Sequence, residues 1–274
     1  SSISEVSSAV ASATLKGARG NSGVILSQIM RGFSKVLKES KTADAVTLAQ
    51  AFKKASETAY RAVMKPTEGT ILTVIRRMAE YLEENTFEDT EIEAFLETAV
   101  EPGHTALAEP TEMQPVLKKA NVVDSGGQGL MKIIEGMLYA LKEGKEVALV
   151  DNSYTPVQTV AKEEAKIKFG YCTEFIIKNA KPKQDKKLRS EIEPMGDSLM
   201  LIADEDIIKV HIHTNNPGFI LERAIRVGEL SDIKIDNMRE EHKETIIKKE
   251  ETKAEYGIVS VASGDGITEM MTAL

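Results

Sequence analysis

Two groups of residues have the types and spacing that chemistry requires, and the first is rich in glycine. Gly17-Ala18-Arg19-Gly20-Asn21-Ser22-Gly23 is followed at once by apolar residues at helical spacing. The first amides of a helix have no carbonyl partner and lie at the positive end of its dipole, so such a turn can hold phosphate. The pattern is neither a Walker loop nor GxGxxG. Its spacing alone leaves open a phosphate loop or a tight helix–helix turn.

Two further stretches have the same character. Glu68-Gly69-Thr70 opens a predicted helix and ends in a hydroxyl, and Asp124-Ser125-Gly126-Gly127 offers an Asp or a Ser to cap the helix that follows. Each stretch alone is typical of an ordinary helix start. Three of them in one helical region favour convergence on a single ligand.

The second group is Cys172 with His211 and His213. A cysteine near the start of the first strand of a βαββαβ unit faces the end of the third strand, because these strands are antiparallel neighbours in that fold. Residues two apart point to one side of a sheet. One Cys and two His on adjacent strand ends are a plausible zinc set, with the fourth position open as in catalytic sites. Glu174 lies on the same face as Cys172 and could instead close the site.

Apolar periodicity and turn residues indicate the elements that must position these groups. Residues 1–146 are predicted to be all helical, 147–166 a linker, and 167–240 a ferredoxin-like βαββαβ domain of the α+β class. Residues 241–254 form a charged connector, and 255–274 begin a further α/β domain. Asp204-Glu205-Asp206 is interpreted as a hairpin turn rather than a metal site.

Composition narrows the function classes. The 274 residues carry a net charge of −8, which argues against nucleic acid as the main partner. No apolar run approaches the roughly 20 residues that a membrane-spanning helix needs. The one cysteine excludes an internal disulfide and predicts a cytoplasmic location. The chain starts at Ser1 and stops at Leu274 within an apolar periodic run, so we expect a fragment of a longer protein.

The glycine-rich stretches also carry a resemblance. Gly17-Ala18-Arg19-Gly20-Asn21-Ser22-Gly23-Val24-Ile25-Leu26-Ser27-Gln28 closely resembles a signature of the bacterial fatty acid kinase catalytic subunit, whose nucleotide domain is similar to the L subunit of dihydroxyacetone kinase. Lys65-Pro66-Thr67-Glu68-Gly69-Thr70-Ile71-Leu72 looks like its second motif. Pro115-Val116-Leu117-Lys118 through Val122-Val123-Asp124-Ser125-Gly126-Gly127-Gln128-Gly129 looks like its third. Order and spacing match across residues 1–146, and the later segments are also similar.

The resemblance implies a helical barrel that binds ATP at one rim. By motif match, the residues near the nucleotide would be Asn21, Ser22, Gly23, Gly69, Thr70, Ser125, Gly126 and Gly127. The resemblance also implies zinc at Cys172, His211 and His213, where the zinc could polarise a carboxylate or acyl-phosphate oxygen. Thr173 and Thr214 flank these ligands, and we expect them to contact substrate.

The family's magnesium ions are held by an aspartate cluster upstream of the first glycine loop. Between Ser1 and Gly20 the only acid is Glu5. Phosphoryl transfer needs metal to neutralise developing charge, so we expect no kinase activity from this chain on its own.

The predicted function is that of the ATP-binding subunit of a two-component fatty acid kinase. A separate carrier protein would present the fatty acid carboxylate, and the central domain would support a homodimer. One alternative is a dihydroxyacetone-type kinase, which the attached zinc domain disfavours. Another is a non-catalytic docking scaffold with a structural zinc.

Overall fold

The first half of the chain is helical wherever the structure describes it. The structure is a computed structural model that describes residues 2–108, 123–144, 167–180, 183–204 and 207–240. Its helices here are α1 (Ile3–Gly17), α2 (Gly20–Leu37), α3 (Ala45–Ala62), α4 (Ile71–Asn85), α5 (Ile92–Ala108) and α6 (Ser125–Glu143). The predicted linker 147–166, connector 241–254 and further domain 255–274 lie outside the described residues.

Local sequence explains where these helices begin. Ser2 and Glu5 form a reciprocal capping box on α1, and the Asp44 side chain accepts from the Thr47 amide at the start of α3. The core-facing side of α4 follows the predicted spacing and is fully buried at Ile75 and Met78. The helical prediction for this region is confirmed for its described residues.

One predicted helix end is wrong. Pro102 and Gly103 were expected to end a short helix, but α5 continues through both to Ala108. A Cβ on Gly103 would lie 2.4 Å from the Met131 sulfur, so this glycine lets α5 pack closely against α6. Tertiary packing thus outweighs the local cost of an internal proline, about 3 kcal/mol.

The second half of the described chain contains one antiparallel sheet. Its elements are β1 (Tyr171–Lys178), α7 (Gln184–Ile192), the short 3-10 turn Glu193–Met195, β2 (Gly196–Asp204), β3 (Ile207–Thr214), α8 (Pro217–Ile225) and β4 (Glu229–Asn237). The strand order is β2-β3-β1-β4. Strands β2 and β3 pair from Asp204 and Ile207 outward, as the hairpin interpretation predicts. A helical part followed by a small antiparallel sheet is therefore confirmed.

The two faces of this sheet have different neighbours. One face buries Phe175, Val210 and Ile212 in a core with α7 and α8. Residues of the opposite parity belong to the core of the helical part, and they are Ile176, Met200, Ile202 and Ile207. Because both faces are covered, the strands read as nearly continuous apolar runs.

A polar contact reinforces this packing at the edge. Arg31 on α2 lies 3.1 Å from the Asp204 carboxylate and donates to the Ala203 carbonyl at 2.8 Å. None of the described helices combines the length and the apolar character needed to cross a bilayer.

The contact between α2 and α3 provides a test of packing. A Cβ on Gly32 would lie 2.3 Å from the Ala55 Cα, whereas a Cβ on Gly136 in α6 would meet nothing within 4 Å. We expect Gly32→Ala to lower the free energy of unfolding by about 1–3 kcal/mol, because the two helices must separate. Gly136→Ala, the matched control, should raise it by about 0.5–1 kcal/mol. Urea unfolding measures both, and equal effects would contradict the packing.

Candidate nucleotide and metal sites

The first glycine stretch forms the start of α2. Gly20 has φ +60°, in the left-handed region that favours glycine, and opens the helix. Asn21, Ser22 and Gly23 lie in the first turn, where only the Gly23 amide reaches back, to the Arg19 carbonyl at 3.2 Å. Helix geometry leaves the amides of Asn21 and Ser22 without a carbonyl one turn earlier. Both residues are exposed, so an anion can reach these amides.

The second stretch forms the start of α4. Gly69 has φ +79°, and its amide donates to the Thr73 hydroxyl at 2.7 Å. Thr70 is the N-cap: its hydroxyl accepts from the Leu72 amide at 3.3 Å and donates to the Thr67 carbonyl at 2.8 Å. The Thr70 hydroxyl therefore already holds the loop in shape.

Glu68 anchors this loop to the helices beside it. Its carboxylate accepts from Tyr60 at 2.7 Å, Thr73 at 2.6 Å and Arg76 at 2.8 Å. Burial raises the pKa of Glu68, but these three hydrogen bonds outweigh burial and lower the pKa below its ordinary value. The carboxylate is thus ionised and fixed at neutral pH.

Asp124 joins the second stretch to the third. Its Oδ2 atom accepts from the Gly127 amide at 2.7 Å, which caps α6, and from the Ile71 amide at 3.0 Å, in the first turn of α4. One carboxylate oxygen therefore serves the positive ends of two helices. Of the two capping residues that the sequence offered for α6, the structure uses Asp124.

The third stretch also lies against the first. A Cβ on Gly126 would lie 2.9 Å from the Ser22 hydroxyl and 3.2 Å from the Asp124 carboxylate, so only glycine fits without a shift. The starts of α2, α4 and α6 therefore come together. Three helix N-termini in one place create a field that favours a polyanion.

The Cys and His residues also come together, as the strand topology predicted. In the antiparallel pairing of β1 with β3, Cys172 lies opposite His213, and Glu174 lies opposite His211. Ligand atoms of Cys172, His211 and His213 all lie within 4.8 Å of one another. We call these three residues the Cys/His cluster. Thiolate and imidazole in this number suit zinc with one position left for another ligand.

Each histidine of the cluster has a carboxylate at Nδ1. Glu174 Oε1 lies 2.7 Å from His211 Nδ1, and Asp197 Oδ1 lies 3.3 Å from His213 Nδ1. Asp197 reaches this position because a β-bulge at Ser198, whose φ is +53°, shifts the register of β2. Since an ionised carboxylate only accepts, Nδ1 is the donor. The Nε2 atom of His211 is buried with no hydrogen-bond partner among the described residues, which fits a metal ligand.

Glu174 also touches the first glycine stretch. Its Oε1 atom accepts from the Gly20 amide at 2.6 Å, and the residue is 3% exposed. Burial raises the pKa of Glu174, but the hydrogen bond and charge of His211, the Gly20 amide and nearby Lys209 together lower it. Glu174 therefore contacts His211 and Gly20 but lies outside the Cys/His cluster.

Lys209 lies on the same face of β3 as the two histidines. Its side chain is fully buried, and its Nζ atom has no hydrogen-bond partner in the part of the chain that the structure describes. Burial lowers the pKa of Lys209, attraction to Glu174 opposes that effect, and repulsion from Arg19 adds to it. The ammonium therefore balances part of the Glu174 charge.

The expected substrate contacts at Thr173 and Thr214 are not supported by the structure. Thr173 alternates with Cys172 and Glu174 along β1, so its side chain points to the opposite face, and it is fully buried. The Thr214 hydroxyl donates to the Met195 carbonyl at 2.8 Å. Strand alternation was available in the sequence and would have excluded Thr173.

Three functional contacts were not predicted from the sequence: Glu174 with Gly20, Asp197 with His213, and Asp124 with Ile71. Each joins separate elements, and only the position of Asp124 before a helix gave a signal for its capping role.

The shared cap at Asp124 gives a stability prediction. We expect Asp124→Ala to lower the free energy of unfolding by more than the single-cap value of about 0.5–2 kcal/mol, because two amides lose their acceptor. Asp44→Ala is the matched control, since Asp44 is exposed and caps α3 alone. Urea unfolding of both variants decides the matter, and an equal or smaller loss in Asp124→Ala would exclude the double cap.

The Cys/His cluster gives a prediction about metal. After chelator treatment, the chain should take up one zinc ion, and saturation at 100 times the dissociation constant should stabilise it by about 2.7 kcal/mol. Cys172→Ala and His211→Ala should abolish both effects. His104→Ala should change neither, because exposed His104 pairs with Glu135 on another surface. Metal analysis and thermal unfolding provide the two readouts, and unchanged zinc content in Cys172→Ala would remove the site.

Comparison with known proteins agrees with this geometry. The DAK2 domain family matches residues 1–139, and the family of middle domains of fatty acid kinase A-like proteins matches residues 168–245. Protein YloV of Bacillus subtilis is 40% identical over 295 aligned positions, covering 99% of this chain and 53% of YloV. Uncharacterized proteins of Staphylococcus saprophyticus and Staphylococcus aureus are 37% and 38% identical, each with 99% of this chain and 53% of the relative covered.

The chain thus spans about half the length of the curated relatives it matches. Its two matched segments occur in the order that the sequence motifs predicted, a DAK2 domain followed by the middle domain. The chain therefore belongs to the family of fatty acid kinase catalytic subunits, with a nucleotide domain like that of dihydroxyacetone kinase.

Proposed function

We propose that this chain is the ATP-binding part of a two-component fatty acid kinase, whose whole protein phosphorylates a fatty acid carboxylate held by a separate carrier protein. The observation that carries the proposal is the meeting of three helix starts within contact distance of one another, at Ser22, Asp124 and Gly126. Membership of the family supplies the reaction class. We further infer that the helices close into a barrel and that the sheet domain is ferredoxin-like.

The phosphates of ATP are proposed to lie over the start of α2. The exposed amides of Asn21 and Ser22, with Gly23 behind them, point from a positive helix end. Gly69 and Thr70 would approach the phosphates from α4, and the edge formed by Ser125, Gly126 and Gly127 would contact the rest of the nucleotide. The Glu68 network keeps the second loop in position before ATP arrives, which reduces the ordering cost of binding.

In the proposed reaction, a carboxylate oxygen of the fatty acid forms a bond to the γ-phosphorus. The bond from that phosphorus to the β–γ bridging oxygen breaks, and ADP leaves with the electron pair. The products are acyl phosphate and ADP. The protein's part is to hold the two reactants in line and to place positive charge where negative charge develops.

Cys172, His211 and His213 would hold zinc beside this nucleotide site. The bound ion would act as a Lewis acid toward a carboxylate or acyl-phosphate oxygen. Glu174 and Asp197 would fix the two imidazole rings, each by accepting the Nδ1 proton. The three ligands are thus the residues of this chain that we assign to the acyl substrate.

The acids of the glycine stretches do not suit magnesium. Glu68 already accepts from three side chains, and the Oδ2 atom of Asp124 already accepts from two amides. We therefore propose that the magnesium ligands lie outside this chain, and we assign no step to them.

Two partners complete the proposal. The carrier protein would present the fatty acid at the Cys/His cluster, and a second copy of the chain would pair through the central domain. The outer strand β4 supports the homodimer, because Ile233 and Ile235 are about half exposed there and apolar surface favours association.

A nucleotide-binding experiment tests the proposed site. In the full-length protein with Mg²⁺, we expect Gly126→Ala to weaken ATP binding at least tenfold, since its Cβ would press on Ser22 and Asp124. Gly129→Ala is the matched control, because a Cβ there meets nothing within 4 Å. Calorimetry gives the dissociation constants, and unchanged affinity in Gly126→Ala would place ATP elsewhere.

Turnover separates the proposed reaction from its alternatives. ADP formation that requires ATP, fatty acid and carrier protein together would support the fatty acid kinase. ADP formation with dihydroxyacetone would indicate a small-ketone kinase, and zinc binding without turnover would indicate a docking scaffold. This chain by itself should release no ADP.

A further inference from the structure

A single carboxylate oxygen connects the Cys/His cluster to the first glycine stretch. Glu174 Oε1 lies 2.7 Å from His211 Nδ1 and 2.6 Å from the Gly20 amide, and its side chain is 4% exposed. The residues come from different parts of the chain, with Gly20 and Glu174 separated by 154 positions. Any displacement of this oxygen changes both hydrogen bonds.

The start of α2 depends on this contact for its cap. Arg19 occupies the N-cap position but makes no side-chain cap hydrogen bond, and the first turn of α2 contains no acid. Helices are usually capped by their own N-cap side chain. Here Glu174 provides the acceptor from the sheet, and it engages Gly20 while leaving the next two amides to a ligand.

A cation bound at the Cys/His cluster would act on the same oxygen. Withdrawal of electron density through His211 makes Nδ1–H a stronger donor, so the hydrogen bond to Glu174 tightens. The added positive charge also offsets the carboxylate, which otherwise repels an anion at the start of α2. Both effects favour an ordered, less negative glycine stretch.

We propose that Glu174 is a positioning residue that couples the two sites, so that zinc at the Cys/His cluster and ATP at the first glycine stretch bind cooperatively. This inference rests on the proposed function. Lys209 supports the arrangement, because its buried ammonium reduces the net negative charge that Glu174 brings to the interface. Coupling is reciprocal, so ATP must raise zinc affinity by the same factor.

The experiment measures ATP affinity with and without zinc. Full-length protein is stripped with chelator, and the dissociation constant for ATP with Mg²⁺ is measured before and after zinc is restored. In the wild type, zinc should tighten ATP binding about fivefold or more. In Glu174→Gln, which keeps the side-chain size but not the charge, the zinc effect should fall below about twofold.

Two control variants separate the coupling from simpler explanations. Asp197→Asn removes the carboxylate at His213 without touching the helical part, so it should weaken zinc binding but retain the zinc effect on ATP. Arg31→Ala removes another contact between the two parts without touching the Cys/His cluster, so it should also retain that effect. Loss of the zinc effect in either control would overturn the assignment to Glu174.

Cobalt provides a second readout that a purely structural role would not move. In Co²⁺-loaded wild-type protein, ATP should shift the visible absorption of the metal, and Glu174→Gln should bind Co²⁺ without that shift. If Glu174→Gln does not fold, Glu174→Asp, which is too short to reach both partners, serves in both measurements. Equal ATP affinity with and without zinc in the wild type would overturn the coupling. Absence of ATP binding altogether would instead overturn the proposed function.

Discussion

Amides at the start of a helix need acceptors, and this constraint shapes the whole candidate site. Three helices begin at the same place, where their own N-cap residues cannot satisfy every amide. Two carboxylates resolve the problem by accepting twice each, Asp124 from two helices and Glu174 from a helix and a histidine. What the carboxylates leave open is a set of exposed amides at Asn21 and Ser22, which is where an anion gains most.

The same constraint explains why the metal cluster lies beside the nucleotide loop. Glu174 follows Cys172 by two positions on β1 and therefore shares its face of the sheet. That face packs on the helical part, so the residue that orients His211 also meets Gly20. A bulge in β2 brings the second carboxylate, Asp197, to the other histidine. Strand periodicity thus places cluster and carboxylates together without any dedicated loop.

Sequence patterns predicted the local features well and the long-range contacts poorly. Helical periodicity and caps indicated α3, α4 and α6, and alternation with topology brought Cys172 to the two histidines. The continuation of α5 through Pro102 was missed, because it depends on packing at Gly103. The contact of Glu174 with Gly20 was missed because nothing in either segment specifies a partner 154 positions away. Thr173 was an avoidable error, since alternation places it on the other face.

The sheet face that completes the helical core has a consequence for how such chains can be rearranged in evolution. Ile176, Met200, Ile202 and Ile207 are buried in the core of the helical part, which a different family profile matches. A gene fission between these halves would place four apolar side chains in water unless a new cover evolved at the same time. Substitutions in α2 and α3 must likewise suit the sheet. The two halves are therefore expected to be inherited as a fused pair and to change together.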